Sequence, residues 1–268
     1  MCIRAIAIRA DRPTNKLAGY ATEPDNDPTM RLSRFFIDTP LASGELALPD
    51  AQAHYIARVL RLSPGDRLQL FDGSGREALA TLVEVGKRQV RVSIETLFDG
   101  QPESPLAIHL GQGLSRGERM DWAIQKATEL GAKEITPLLT ERCEVRLSDE
   151  RADKRVAHWR QIAISAAEQC GRSVLPVIHA PQPLDQWLRG ADADLKLVLH
   201  PVASPLAEHP APARLALVIG PEGGLSEAEV SAAQQAGFQS VRLGPRVLRT
   251  ETAPVVALSL LQYLWGDL

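Results

Sequence analysis

Two short runs, Leu195–Leu199 and Leu215–Ile219, constrain the fold more than any other feature of the sequence. They are apolar almost throughout and do not alternate. A strand of this kind buries both faces, as the strands of a parallel sheet covered by helices do. Leu106–Leu110, Ile135–Leu139 and Val241–Leu243 read as further strands. Between them the period changes. Met120, Ile124, Ala127 and Leu130 follow helical spacing up to Gly131, and Val156, Trp159, Ala163, Ala166 and Cys170 mark a long helix that stops at Gly171. Ser226 and Glu229 form a capping box, Gly237 ends the helix they open, and Val255–Leu264 is a final apolar helix. Strand–helix alternation predicts an α/β domain around a parallel sheet.

Residues 31 to about 100 follow a different pattern. Gln89–Glu95 alternates with period two, and Leu68 and Leu70 do the same before the turn at Asp72-Gly73. One short helix is expected after Asp50 as N-cap. Tyr55, Ile56, Val59 and Leu60 share its apolar arc, with Arg58 and Arg61 pointing away. This reads as a small barrel-like β domain, and Pro102 and Pro105 mark the linker. Residues 1–29 end in a polar, turn-rich stretch and are expected to be a disordered extension, with Met30 as the physiological start. The expected plan is therefore 1–29 extension, 30–102 small domain and 103–268 α/β domain.

Composition limits the functional classes. With 268 residues, 44% of them hydrophobic, the chain can bury a core for each domain. No apolar run reaches the roughly 18 residues of a membrane span, and the first 29 residues lack the apolar core of a secretory signal. The net charge of −3 excludes a uniformly basic nucleic-acid coat but not a local patch. The chain has 24 Arg against 6 Lys. Arg suits planar recognition of phosphates and bases, although GC-rich codon usage yields the same bias. Three scattered cysteines form no disulfide framework and fit a reducing, cytoplasmic setting. The six histidines show no ligand spacing, so no metal is expected.

Three loops stand out. Gly111–Gly117 follows a strand and nearly matches a dinucleotide fingerprint, with its third glycine one position late. It also contains a Gly-x-Ser-x-Gly elbow for which Asp194 and His200 stand in triad order. A plain strand-to-helix loop carrying Arg116 and Arg119 is the simpler alternative. Ile219–Leu225 places three glycines after a buried strand, either to admit a ligand close to the backbone or to make a tight connection. It is no phosphate loop, because no Lys-Ser/Thr follows. Leu243–Thr252 opens on Gly-Pro and gathers two Arg, two Thr and a Glu before a helix that Thr250 or Thr252 could cap. Two glycine loops at neighbouring strand ends point to one shared pocket. Glu168, Gln169 and Arg172, at the end of the long helix, read alone as a solvated helix end.

Taken in order, these motifs resemble the RsmE family, the ribosomal small-subunit RNA uridine-N3 methyltransferases of the SPOUT class. The resemblance runs through His54–Leu62, Leu70–Gly73, Gly111–Glu118, Ile124–Lys126, Glu129–Gly131, Glu141–Cys143 and Ala167–Arg172. Its most specific stretches are Ile219–Leu225 and Leu243–Thr252. It covers about residues 30–268 and departs slightly at Ala253-Pro254-Val255.

The resemblance implies a PUA-like RNA-binding domain followed by a SPOUT methyltransferase domain with a C-terminal trefoil knot, working as a homodimer through its last helix. It implies S-adenosylmethionine bound by Leu199, His200, Gly220, Pro221, Glu222, Gly223, Gly224, Leu243, Gly244, Pro245, Arg246, Leu248 and Thr250. Arg249 and Glu251 are expected to shape the pocket, and Glu168, Arg172 or Arg142 to meet the uracil, with Glu168 or Glu251 as possible base. Arg31, Arg34, Arg58 and Arg61 are expected to hold RNA phosphates, with Arg116 and Arg119 nearer the pocket. A different RNA target, a non-catalytic ribosome-assembly factor and a nucleotide-dependent oxidoreductase using Gly111–Gly117 are the competing readings. The methyltransferase reading rests on one arrangement: the stretches around residues 200, 222 and 247 folding into a single crevice.

Overall fold

A computed structural model of the chain describes residues 32–86, 89–145, 149–206 and 208–268. The expected extension, Met30 and Arg31 lie outside the described residues.

The first sheet contains β1 (Arg34–Phe36), β2 (Gly44–Ala47), β3 (Arg67–Phe71), β4 (Arg76–Val85) and β5 (Val90–Asp99), in the order β1-β3-β4-β5-β2. β1 pairs parallel with β3, and the other pairings are antiparallel. Alternate residues Leu68 and Leu70, Ala78, Ala80 and Leu82, and Val90, Val92 and Ile94 face one core. Helix α1 (Asp50–His54) closes over it and continues as a π-helical turn, Tyr55–Leu60. Two expectations are corrected here. Asp50 is the first helical residue and not the cap; Pro49 holds the cap position, with no side-chain bond. The wider π turn also breaks the 3.6-residue arc. Ile56 is fully buried, whereas Tyr55 and Val59 are exposed. Arg58 and Arg61 do face solvent, and Arg61 ends the helix in the left-handed region at φ 56°.

The second sheet is parallel throughout. It comprises β6 (Ala107–Gly113), β7 (Ala132–Leu139), β8 (Val177–Ile178), β10 (Leu195–Pro205), β11 (Arg214–Ile219) and β12 (Gln239–Arg242), in the order β12-β10-β11-β6-β7-β8, with β9 (Gln182–Pro183) also on β7. Helices α2 (Glu118–Glu129), α3 (Asp149–Cys170), α4 (Leu184–Gly190), α5 (Glu227–Gln235) and α6 (Thr252–Trp265) complete the domain. The unbroken apolarity of β11 is explained directly. Leu215, Leu217 and Ile219 pack in one core with Met120, Trp159 and Leu258, while Ala216 and Val218 pack in another with Trp187, Val230 and Phe238. Each fully buried Leu or Val contributes about 1.5–3 kcal/mol. The Ser226–Glu229 capping box is present, and Gly131, Gly171 and Gly237 have positive φ. Neither Thr250 nor Thr252 caps α6; Glu251 holds that position, with no side-chain bond.

The two sheets meet across a junction of Phe36, Phe71, Ile164 and Ala167, with Leu175 against them. Polar braces surround it. Arg172 Nε donates to both oxygens of Glu103, at 3.0 and 3.1 Å, and its Nη1 donates to the carbonyls of Thr128 and Ala132, at 3.1 and 2.8 Å. Arg34 pairs with Glu77 at 2.9 Å, donates to the Arg172 carbonyl at 3.3 Å, and lies over the Phe71 ring. The N–H of Phe36 donates to Glu168 at 3.0 Å. Burial pushes the Glu168 carboxyl above the usual range, only partly offset by that N–H and by Arg34.

Two expected outcomes follow from the junction. Arg172→Ala strands Glu103 and two carbonyls, so it should destabilise the protein by about 2–4 kcal/mol in denaturant unfolding, with Lys recovering only part. Glu168 binds its proton more tightly folded than unfolded, so it favours folding at low pH and loses that contribution as pH rises through its raised folded value. Thermal unfolding of Glu168→Gln should therefore gain on the wild type as pH is taken from about 4.5 to about 8.

Candidate functional site

The carboxyl ends of β11 and β12 open into loops 220–225 and 243–251, and β10 runs alongside them. Its pairing with β12 loses register between Leu199 and Ser204, so the strand bulges where it passes the loops. Together they enclose a crevice of about 620 Å³. It is lined by Leu199, His200, Gly220, Pro221, Glu222, Gly223, Gly224, Leu243, Gly244, Arg246, Leu248, Arg249, Thr250 and Glu251, with Arg119 and Arg142 joining from the other side. The three segments that had to converge do so.

Hydrogen bonds fix this convergence. Thr250 Oγ1 donates to the Gly220 carbonyl at 3.0 Å and accepts from Gln112 Nε2 at 3.2 Å. Ser115 Oγ lies 3.2 Å from the same hydroxyl. Arg142 Nη1 donates to the Gly223 carbonyl at 3.1 Å. Glu222 Oε1 accepts from the Arg116 N–H at 3.1 Å and from Arg119 Nη1 at 3.0 Å. Burial alone would raise the Glu222 carboxyl, but its own N–H, that of Arg116 and the Arg119 guanidinium outweigh it and hold it below the ordinary range. Glu251 Oε2 stands 3.9 Å from Arg119 Nε. The rim is therefore a set of guanidiniums partly neutralised by two carboxylates, around a floor made largely of backbone.

Gly111–Gly117 is resolved by the same geometry. A Cβ on Gly113 would stand 2.3 Å from the Pro221 nitrogen, and one on Gly111 would meet Leu138 and Trp187. These glycines admit neighbouring chain and side chain, leaving no cradle for a dinucleotide. Nor is a hydrolase triad assembled. Asp194 lies ahead of β10 and accepts from Ala213 and Arg214, at the opposite sheet edge from Ser115.

Several expected site residues lie elsewhere. Pro245 does not line the crevice. Glu168, Arg172 and Arg34 are held at the domain junction; the Arg34 and Arg172 side chains are only 9% and 8% exposed. That placement corrects the expectation that Arg34 meets phosphate and that Glu168 or Arg172 meets the uracil. Their partners are already supplied by the protein. Arg58 and Arg61 remain exposed on the small domain, and Arg116 pairs with Glu144 at 2.7 Å. The rim also holds Val202 and Val247, 83% and 81% exposed, which the sequence reading did not single out. Val247 sits inside a motif already noted, but no sequence signal separates an exposed Val from a core one. Among the described residues, no helix is long and apolar enough to cross a membrane.

The chain is similar to known proteins over most of its length. Residues 102–262 match the RNA methyltransferase domain family and residues 48–95 the RNA methyltransferase PUA domain family. It is 36% identical over 242 residues to the ribosomal RNA small subunit methyltransferase E of Buchnera aphidicola, covering 89% of this chain and 98% of that protein. A Legionella pneumophila structure with bound SAM aligns at TM-score 0.86 and 43% identity, covering 89% of this chain and all (100%) of that one. The ribosomal RNA small subunit methyltransferase E of Neisseria gonorrhoeae, bound to S-adenosyl methionine, aligns at TM-score 0.83 and 38% identity over 88% of this chain and 99% of that one. With both domains matched and such relatives spanning nearly the whole described fold, the chain belongs to the ribosomal RNA small subunit methyltransferase E family.

Proposed function

We propose that this protein transfers the methyl group of S-adenosylmethionine to N3 of a uridine in small-subunit ribosomal RNA, in the cytoplasm. The observation that carries the reading is the joining of three separate segments, around 200, 222 and 247, into one crevice. The crevice fits the donor in kind. Loops with little side chain let backbone N–H and C=O groups grip a flat adenine. No lysine stands in the glycine loop, which suits a ligand without phosphates. The relatives with bound S-adenosylmethionine support the same choice.

Bound there, S-adenosylmethionine supplies an electrophilic methyl group on a sulfonium, so its departure needs no acid. The remaining work falls to the protein. A uridine N3 carries a proton near neutral pH, so the base must be exposed, aligned and relieved of that proton. Alignment alone can lower such a barrier by about 7–11 kcal/mol. Arg249, Arg142 and Arg119, at the rim, hold negative charge as it develops on the uracil carbonyls. Glu251 is the carboxylate at the rim placed to accept the N3 proton. Glu222 orients Arg119 and ties the glycine loop to the start of α2. Residues 30–102 form the RNA-gripping domain, with phosphates held by Arg58 and Arg61, and residues 103–268 the transferase domain.

We assign the C-terminal segment to the trefoil knot that the family resemblance implies. The placement of β12 beside β10, with Thr250 bonded back across it to the Gly220 carbonyl after β11, supports that threading. The working form is a homodimer through α6. Leu260 and Leu264 on α6 and Trp122 on α2 are 46%, 41% and 49% exposed, an apolar face suited to a second copy.

Small-subunit RNA from cells lacking the protein should lose one methyl-uridine in mass mapping, and the purified protein with S-adenosylmethionine should restore it. Arg249→Ala should lower that turnover by about a hundredfold or more. An unchanged methylation map in the deletion strain would sink the reading. For the dimer, Leu260→Lys combined with Leu264→Lys should halve the mass measured by light scattering.

A further inference from the structure

At the amino-terminal edge of the parallel sheet, away from the crevice, three side chains gather that the proposed reaction does not use. His109 on β6 and Glu134 on β7 are register partners, and His179 follows directly after β8, its N–H bonded to Ile135 at 2.9 Å. His109 and Glu134 project from neighbouring parallel strands, and His179, just past β8, meets them there. His179 Nε2 lies 2.7 Å from Glu134 Oε2, and His109 Nδ1 lies 3.9 Å from that oxygen. One donor atom from each residue falls within 4.8 Å of the others. All three residues are half-buried, so the cluster is framed by protein yet open to solvent.

We propose that His109, Glu134 and His179 form a binding site for a divalent transition cation of the zinc class, with three protein ligands and the remaining position left to water. The donor set is two imidazoles and one carboxylate, a composition that selects such cations over magnesium or calcium. Ligand bonds of about 2.0–2.2 Å in a tetrahedron put donor atoms about 3.3 Å apart. The observed 2.7 and 3.9 Å bracket that spacing, and the half-buried side chains can close the difference by small rotations.

The surroundings of His109 set what ligation must change. Its Nε2 accepts from the Trp187 indole N–H at 3.2 Å, so the proton of the neutral ring rests on Nδ1 and has to move to Nε2 when Nδ1 takes the cation. Its Nδ1 faces the cluster, and its Nε2 lies 2.8 Å from Thr136 Oγ1. On ligation through Nδ1, the ring proton sits on Nε2 and is donated to that hydroxyl, which fixes tautomer and ring orientation. The Trp187 indole N–H, now 3.2 Å from the same nitrogen, then loses its acceptor, so the indole reports on occupancy. A cation held there joins β6, β7 and the short β8. β8 pairs with β7 through only Glu134↔Val177 and Ile135↔Ile178. Sequence spacing gives no hint of this site, because the three residues span about 70 positions and only strand register brings them together. The inference is independent of the methyl-transfer reading.

The test uses full-length, tag-free protein stripped with a chelator. Cobalt(II) should bind with one-to-one stoichiometry, give a visible absorption band, be displaced by zinc and not by magnesium, and quench indole fluorescence. Zinc at a hundredfold excess over its Kd should raise Tm by about 5–10 °C. His179→Ala and Glu134→Gln should each weaken binding by at least about tenfold and abolish the Tm shift, as should His109→Ala if it folds. S-adenosylmethionine binding by calorimetry should be unchanged in all of them. Failure of the wild type to bind cobalt or zinc more tightly than about 10 μM, a limit of about −7 kcal/mol, overturns the proposal. So does equal binding by the His179 and Glu134 variants.

Discussion

The hydroxyl of Thr250 is the smallest group on which the largest part of this structure depends. It is buried where three segments distant in sequence come together, giving its proton to the Gly220 carbonyl and accepting from Gln112. That link sets the loop after β12 directly against the loop after β11. Without it a half-buried carbonyl would lose its partner, at a cost of about 1 kcal/mol. Gly113 completes the arrangement from below, since any side chain there would lift Pro221 and open the floor. The floor of the crevice is thus held by backbone fit and the Thr250 hydroxyl, while Arg142 and Glu222 brace the glycine loop from the rim.

Much of this was legible in the sequence, for identifiable reasons. The apolar run at Leu215–Ile219 could only be a strand covered on both sides, and its residues do divide between two cores. Capping chemistry is local, so Ser226 and Glu229 announced their helix. The pocket segments were legible because glycine and proline at the ends of buried strands have few other uses. What failed to be legible is equally physical. Tyr55 and Val59 were placed on an apolar arc by counting 3.6 residues per turn, and a π turn does not keep that count. β8 and β9, of two residues each, are too short to leave a period. α4 was missed as well.

The arginines show the limit most clearly. Arg142, Arg172 and Arg34 look alike in the sequence, yet their positions differ. Arg142 lines the crevice and braces Gly223. Arg172 spends its guanidinium on Glu103 and two carbonyls, and Arg34 on Glu77 and the Arg172 carbonyl. Sequence reveals that a guanidinium is present but not whether the protein has already satisfied it. Partner supply is a tertiary property, and it separates a structural arginine from one left over for a ligand.

The cross-braced junction has a mechanical consequence. Arg34, donating to the Arg172 carbonyl, and Glu168, accepting from the Phe36 N–H, tie the sheet beside the ridge of Arg58 and Arg61 to the domain that holds the crevice. The ridge and the crevice are the two ends of one braced frame. Under the proposed reading, an RNA held at Arg58 and Arg61 would bring a base to the crevice only where its own folded span matches that separation.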